Sequence, residues 1–240
     1  MRLWFSLLLL ITLSAGCSSI TSRKYEYEEE IFLALDGSAS VYVNAAVPAL
    51  VALRGASLPV DPNARLDRTV VRDWYESPAA HVLSVTASRR DNRRYVHVRL
   101  SVPDIRKLGE AKPFAWSMYS MAPVDGLFEY TQQVQAAAGQ DVGQVGWTGR
   151  ERVAFRLHVP SKVQFHNAPS KTIERGNILV WEQTLVERQK GAPVEIRVRM
   201  DQQSILVRTL GLFATMMVAV AFTFAAFIWW VRSRKTADIS

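Results

Sequence analysis

The stretch LSAGCSS ends an apolar run and contains Cys17, the only cysteine among 240 residues. A solitary thiol excludes an internal disulfide, so the fold must rest on its own core. Other reactive side chains make no recognisable constellation. His81, His97, His158 and His166 lack H-E-x-x-H or comparable metal-ligand spacing. The loop GQDVGQVGWTG matches neither a nucleotide-binding glycine pattern nor a phosphate cradle, and no G-x-S-x-G elbow is present. In YEYEEE the acids alternate between the two faces of a strand, which suits solvation better than calcium. No enzyme, metal site or cofactor is expected. Two clusters remain. RRDNRR gathers Arg89, Arg90, Arg93 and Arg94 around one turn; it is an ordinary charged hairpin or, beside a membrane, a set of head-group contacts worth about 1 kcal/mol each. Phe114, Trp116 and Met118 are expected on one strand face near Trp147, Phe155, Ile178 and Trp181. They either pack as core or line an apolar pocket.

The chain ends position these groups. Arg2, the apolar run Leu3–Leu13 and the small residues Ser14-Ala15-Gly16 have the order of an export signal over 1–16. L-S-A-G-C resembles the lipobox of bacterial lipoproteins. That resemblance implies cleavage before Cys17 and a diacylglyceryl group on its sulfur. At the other end, Thr209–Val231 carries no charge and would span roughly 34 Å as a helix, enough to cross a bilayer. Trp229 and Trp230 belong at an interface, and Arg232, Arg234 and Lys235 mark the cytoplasmic side. The expected order is signal peptide 1–16, tether 17–24, extracytoplasmic domain 25–200, linker 201–208, span 209–231 and tail 232–240. The location is the cytoplasmic (inner) membrane of a bacterium. Short tethers suggest a domain close to its bilayer, with both chain ends at one pole. Without the two ends, the pI near 9.7 reduces to a body of about +3, so nucleic acid is not an expected partner.

The body reads as strand and turn with helices inserted early. Tyr25, Tyr27, Ile31, Leu33 and Leu35 share one parity, and Asp36-Gly37-Ser38 turns the chain into ASVYVNAAV. Pro48 and Gly55 bracket a short helix. Leu66, Val70 and Trp74 at i, i+4, i+8 predict an amphipathic helix ending before Pro78. AAHVLSVTAS and YVHVRLSV flank RRDNRR as a hairpin, and Asp104 caps a brief helix before Gly109. PFAWSMYSMAP pairs with GLFEYTQQVQ; RVAFRLHV, NILVWEQTL and PVEIRVRM complete the strands. The predicted class is α+β: a mostly antiparallel, curved sheet with two or three short helices, plus the signal peptide and one C-terminal transmembrane helix.

HVPSKVQFHNAPSKTIERGNILVWEQTL, His158–Leu185, combines with the lipobox and terminal span into a pattern that resembles the LppM-like envelope lipoproteins. The resemblance implies an extracytoplasmic α+β domain; phosphatidylinositol-mannoside binding is described for the mycobacterial member. It brings no catalytic residue. The expected function is membrane lipid binding, to an anionic phospholipid or glycolipid. The alternative is an accessory subunit of an inner-membrane complex, with Ala214, Ala219, Ala221, Ala225 and Ala226 permitting close approach of a partner helix.

Overall fold

The computed structural model describes residues 25–237. Among the described residues, ten strands form two sheets. The larger has the order β3-β4-β2-β1-β7-β9 and the smaller β5-β6-β10-β8. Their ranges are β1 Tyr27–Leu33, β2 Ala39–Ala46, β3 His81–Arg90, β4 Arg93–Val102, β5 Ser117–Val124, β6 Leu127–Val134, β7 Arg152–His158, β8 Ser161–His166, β9 Ile178–Thr184 and β10 Val194–Ser204. Every pairing is antiparallel except β1 with β7, where Tyr27 lies beside Val153 and Phe32 beside His158. The mixed α+β class and its mostly antiparallel strands agree with the sequence reading.

Local chemistry explains the boundaries. Asp91 and Asn92 both adopt positive φ at the β3–β4 turn, as do Asp125 and Gly126 at β5–β6. Such two-residue turns match the right-handed twist of the paired strands. Helix α1, Val47–Arg54, starts with a proline in its first turn and stops at Gly55, whose φ of 68° suits a residue without Cβ. Helix α2, Arg68–Tyr75, is capped by the Asp67 carboxylate, which accepts from the Thr69 amide. The buried stripe lies one residue along from the expected one: Val71 and Tyr75 are buried, whereas Val70 is 47% exposed. Asp104 caps the 3-10 turn Ile105–Glu110 as expected. Within that turn a Cβ on Gly109 would meet the Ser117 carbonyl at 2.7 Å, so β5 can approach only glycine here.

Two elements escaped the pattern reading. The segment Ser161–His166 is strand β8, and α3, Leu185–Gln189, follows β9 with a capping box between Thr184 and Glu187. The stretch 201–208 has regular structure throughout. Its first four residues are the last of β10, and the rest open α4, Ile205–Ala237.

The core lies between the sheets. The odd residues of β1, including Tyr27 and Ile31, point inward with Tyr119 and Met121 of β5 and Tyr130 of β6. Glu29 shares this parity and bridges the layers. Its carboxylate accepts from Tyr27 Oη at 3.0 Å, Tyr119 Oη at 3.1 Å and Gln132 Nε2 at 2.8 Å. The expectation that both chain ends leave from one pole is corrected. Glu26 bonds Arg152 at the start of β7, whereas Ser204 pairs with Ser161, just past the end of β7. The two ends of the body are therefore separated by the length of β7, about 20 Å.

Candidate functional site

The aromatic cluster is occupied by protein. Trp116 is 7% exposed; its ring meets Tyr27 at 5.4 Å and Phe155 at 5.8 Å between centroids. The Arg54 guanidinium stacks 3.7 Å from the Trp116 centroid and that of Arg188 lies at 5.3 Å. The aromatic quadrupole partly offsets the burial of these two cations. Phe114 packs against Tyr75, and Trp181 is buried with its Nε1 donating to Asn167 Oδ1. Met118 does not join them. The 3-10 turn Lys112–Phe114 intervenes, and β5 then points Tyr119 and Met121 inward, leaving Met118 outward and 54% exposed. Ile178 is half-buried on β9, and Trp147 donates to Glu26.

The arginines of the turn are engaged by the protein itself. Arg94 donates to the carbonyls of Pro59 and Ala64, and Arg89 to Pro62 and Asn63. Arg93 pairs with Glu26 at 3.1 Å and donates to Gly146; Arg90 donates to Tyr25 and covers the Tyr95 ring at 4.3 Å. These guanidiniums clamp two loops, 57–66 and 135–149, onto the hairpin. A cleft of about 260 Å³ remains between them, with Asp91, Arg93, Gln144 and Gly146 on its walls.

The outward face of the larger sheet carries a connected set of polar groups; the sequence reading named His97, His158 and the YEYEEE acids but assigned them no joint role. Ser88 Oγ lies 2.8 Å from His97 Nε2, His97 Nδ1 lies 2.9 Å from Asn44 Oδ1, and Asn44 Nδ2 donates to Glu28 at 3.0 Å. Because the Asn44 amide nitrogen is committed to Glu28, its oxygen accepts from His97 Nδ1–H. Nε2 is then left to accept from the serine hydroxyl. Burial and the nearby Arg90 charge lower the His97 pKa, favouring this neutral form. The order Ser–His–Asn is that of a nucleophile and its base. Ser88 stands exposed on an edge strand, bordered by an open groove rather than an enclosed cavity.

Beside this chain, His158 Nε2 lies 2.6 Å from Glu30, and Arg156 lies 3.6 Å from both Glu28 and Glu30. Phe32 stacks on the His158 ring with centroids 3.8 Å apart and meets Tyr42 at 4.8 Å; Arg99 covers Tyr42. Charges, amides and ring faces thus share one surface, a combination suited to hydroxylated or charged head groups. The signal was present in β1: if odd residues face the core, Glu28, Glu30 and Phe32 must share the other side.

The anchor residues divide. Trp229 is 72% exposed on α4, whose stretch Thr209–Trp229 is long and apolar enough to cross a membrane and has every residue exposed. Cys17 lies outside the described residues, as do the side chains of Trp230, Arg232, Arg234 and Lys235. Among the described residues no group of three or more His, Cys, Asp or Glu side chains could hold a metal ion.

No protein-family model matches this chain, and no curated protein matches it. Among solved structures it is similar to the NMR structure of the folded domain of Mycobacterium tuberculosis LppM, with a TM-score of 0.40 and 14% identity over 78% of this chain and 95% of that one.

Proposed function

We propose that this protein is a cell-envelope lipoprotein of the cytoplasmic membrane whose extracytoplasmic domain binds lipid or glycolipid head groups. The observation that carries the anchored reading is α4: an apolar stretch of 21 residues, every one of them exposed. In water such a surface would be strongly unfavourable, at about 25 cal/mol per Å² of apolar area. Acylation of Cys17 would supply the second attachment, and the two anchors together would resist extraction. Head groups rather than acyl chains are the proposed ligand because the aromatic cluster around Trp116 is filled by Tyr27, Phe155, Arg54 and Arg188. The outward surface around Phe32, Tyr42, Glu30 and His158 instead offers ring faces beside hydrogen-bonding groups.

Native mass spectrometry of the full-length protein, extracted in mild detergent, tests this reading. Wild type is expected to carry lipid, and Phe32→Ala with Tyr42→Ala to lose most of it while keeping its fold. Equal lipid on both would overturn the assignment of this face. A stoichiometric membrane-protein partner without bound lipid would favour the accessory-subunit reading.

A further inference from the structure

The anchored reading fixes which end of the domain meets the bilayer, and the inference below rests on it. Strand β10 passes into α4 without a linker, and the apolar span starts five residues after Ser204. At 1.5 Å per residue, Ser204 stands only about 8 Å from the hydrocarbon edge, within or just above the head-group layer. Whatever is tied to Ser204 stands there too. Ser204 pairs with Ser161, whose hydroxyl donates to the Asp201 carbonyl at 2.6 Å. The Asn177 amide bonds the carbonyls of Ser161 and Val159, at 3.0 and 3.4 Å, holding the Arg175–Gly176 turn beside them. That turn is closed by reciprocal backbone bonds between Glu174 and Ile178. Lys162 and Arg175 are exposed on this end, together with Ile173. Among the acids at this end, Asp201 accepts from Gln164 and Glu174 from Arg156, while Asp125 in the β5–β6 turn, just beyond the pairing of Phe128 with Met200, is exposed and within reach of the Arg199 charge.

We propose that Lys162 and the Arg175–Gly176 turn form the bilayer-contacting face of the domain, with their cations at the level of the lipid phosphates. The RRDNRR hairpin then points away from the membrane, one length of β7 higher. Cations at a fixed height beside anionic lipids gain from the surface potential, which decays within a Debye length. The acyl anchor is compatible with this pose. Cys17 and Tyr25 are eight positions apart, a contour of at most about 29 Å, enough to cover the roughly 20 Å by which the start of the body stands above Ser204.

The test uses the full-length, acylated protein in nanodiscs containing phosphatidylglycerol and spin-labelled quencher lipid. A fluorophore is attached in turn at K162C, at R175C and at Q144C beside the arginine hairpin. Strong loss of emission is expected at 162 and 175, weakening when phosphatidylcholine replaces phosphatidylglycerol, with emission at 144 unchanged. Quenching at 144 equal to or stronger than at 162 would overturn the inference while leaving the anchored reading intact. Failure of the protein to enter discs at all would overturn that reading, and the inference with it. Circular dichroism of each labelled variant separates misfolding from a changed pose, and the pair Lys162→Gln and Arg175→Gln, labelled at Gln164→Cys, repeats the comparison without cysteine at the contact. Loss of the phosphatidylglycerol dependence in that pair is expected; its persistence would overturn the role of the two cations.

Discussion

Glu29 and Glu30 are consecutive on β1 and lie on opposite faces of it. Glu29 points between the sheets, where burial pushes its carboxyl pKa up. The Arg54 charge and the bonds from Gln132, Tyr27 and Tyr119 oppose that rise without cancelling it. Glu30 points outward. Burial pushes it up as well, but the His158 bond and the charges of His158 and Arg156 prevail and hold it below the ordinary carboxylate value. One strand therefore carries two ionisable networks with opposite responses to pH. The inner one ties the sheets together; the outer one leaves polar groups and ring faces where a ligand can reach them.

The largest expected effect comes from breaking the inner network. Glu29→Ala leaves two tyrosine hydroxyls, an amide and the Arg54 charge without their common partner, so it should cost about 3–5 kcal/mol in chemical denaturation of the full-length protein. A loss below about 1 kcal/mol would mean that the sheets are joined by apolar contacts alone. Glu29→Gln sharpens the point through pH. Since the folded-state pKa is raised, the folded protein binds the proton more tightly than the unfolded chain. Stability then falls as pH rises from the unfolded carboxylate value toward the folded one. The glutamine variant should lack that decline. If both proteins show the same slope across this window, Glu29 does not titrate as described.

On the outer face the sign reverses. Glu30 contributes stability that is present above its unfolded pKa and is lost as pH falls through its depressed folded value. Glu30→Gln is expected to cost about 1 kcal/mol at neutral pH, reduced by partial exposure, and to make no difference in strong acid. A cost that persists in acid would assign it to packing around Phe32 rather than to charge.

Parity made half of this readable in advance. Alternation on β1 identified Tyr27, Ile31 and Leu33 as core, and the turns at Gly37 and RRDNRR are carried by residues suited to positive φ. Alternation fails where a 3-10 turn resets the phase, as between Phe114 and Met118. It is equally silent on long-range partnership: nothing in the local pattern says that β1 pairs parallel with β7, or that Ser161–His166 closes a second sheet. The arginine hairpin shows the same limit. Four arginines at one turn signal strong charge, but Arg89 and Arg94 donate to backbone carbonyls 27 and 30 residues earlier, at Pro62 and Ala64, and Arg93 pairs with Glu26.

The smallest expected effect distinguishes an outer face that only recognises from one that also reacts. Ser88 ends the chain through His97, Asn44 and Glu28 on an exposed strand, so removing its hydroxyl strands no buried partner; water can replace it at His97. Ser88→Ala should stay within about 0.5 kcal/mol of wild type. A fluorophosphonate probe should label neither protein, because an open edge strand does not hold the reagent against the serine as an enclosed site would. Labelling of the wild type that disappears in Ser88→Ala would instead make this surface a catalytic one, and the contrast between the two faces of β1 would then separate folding from chemistry rather than folding from binding.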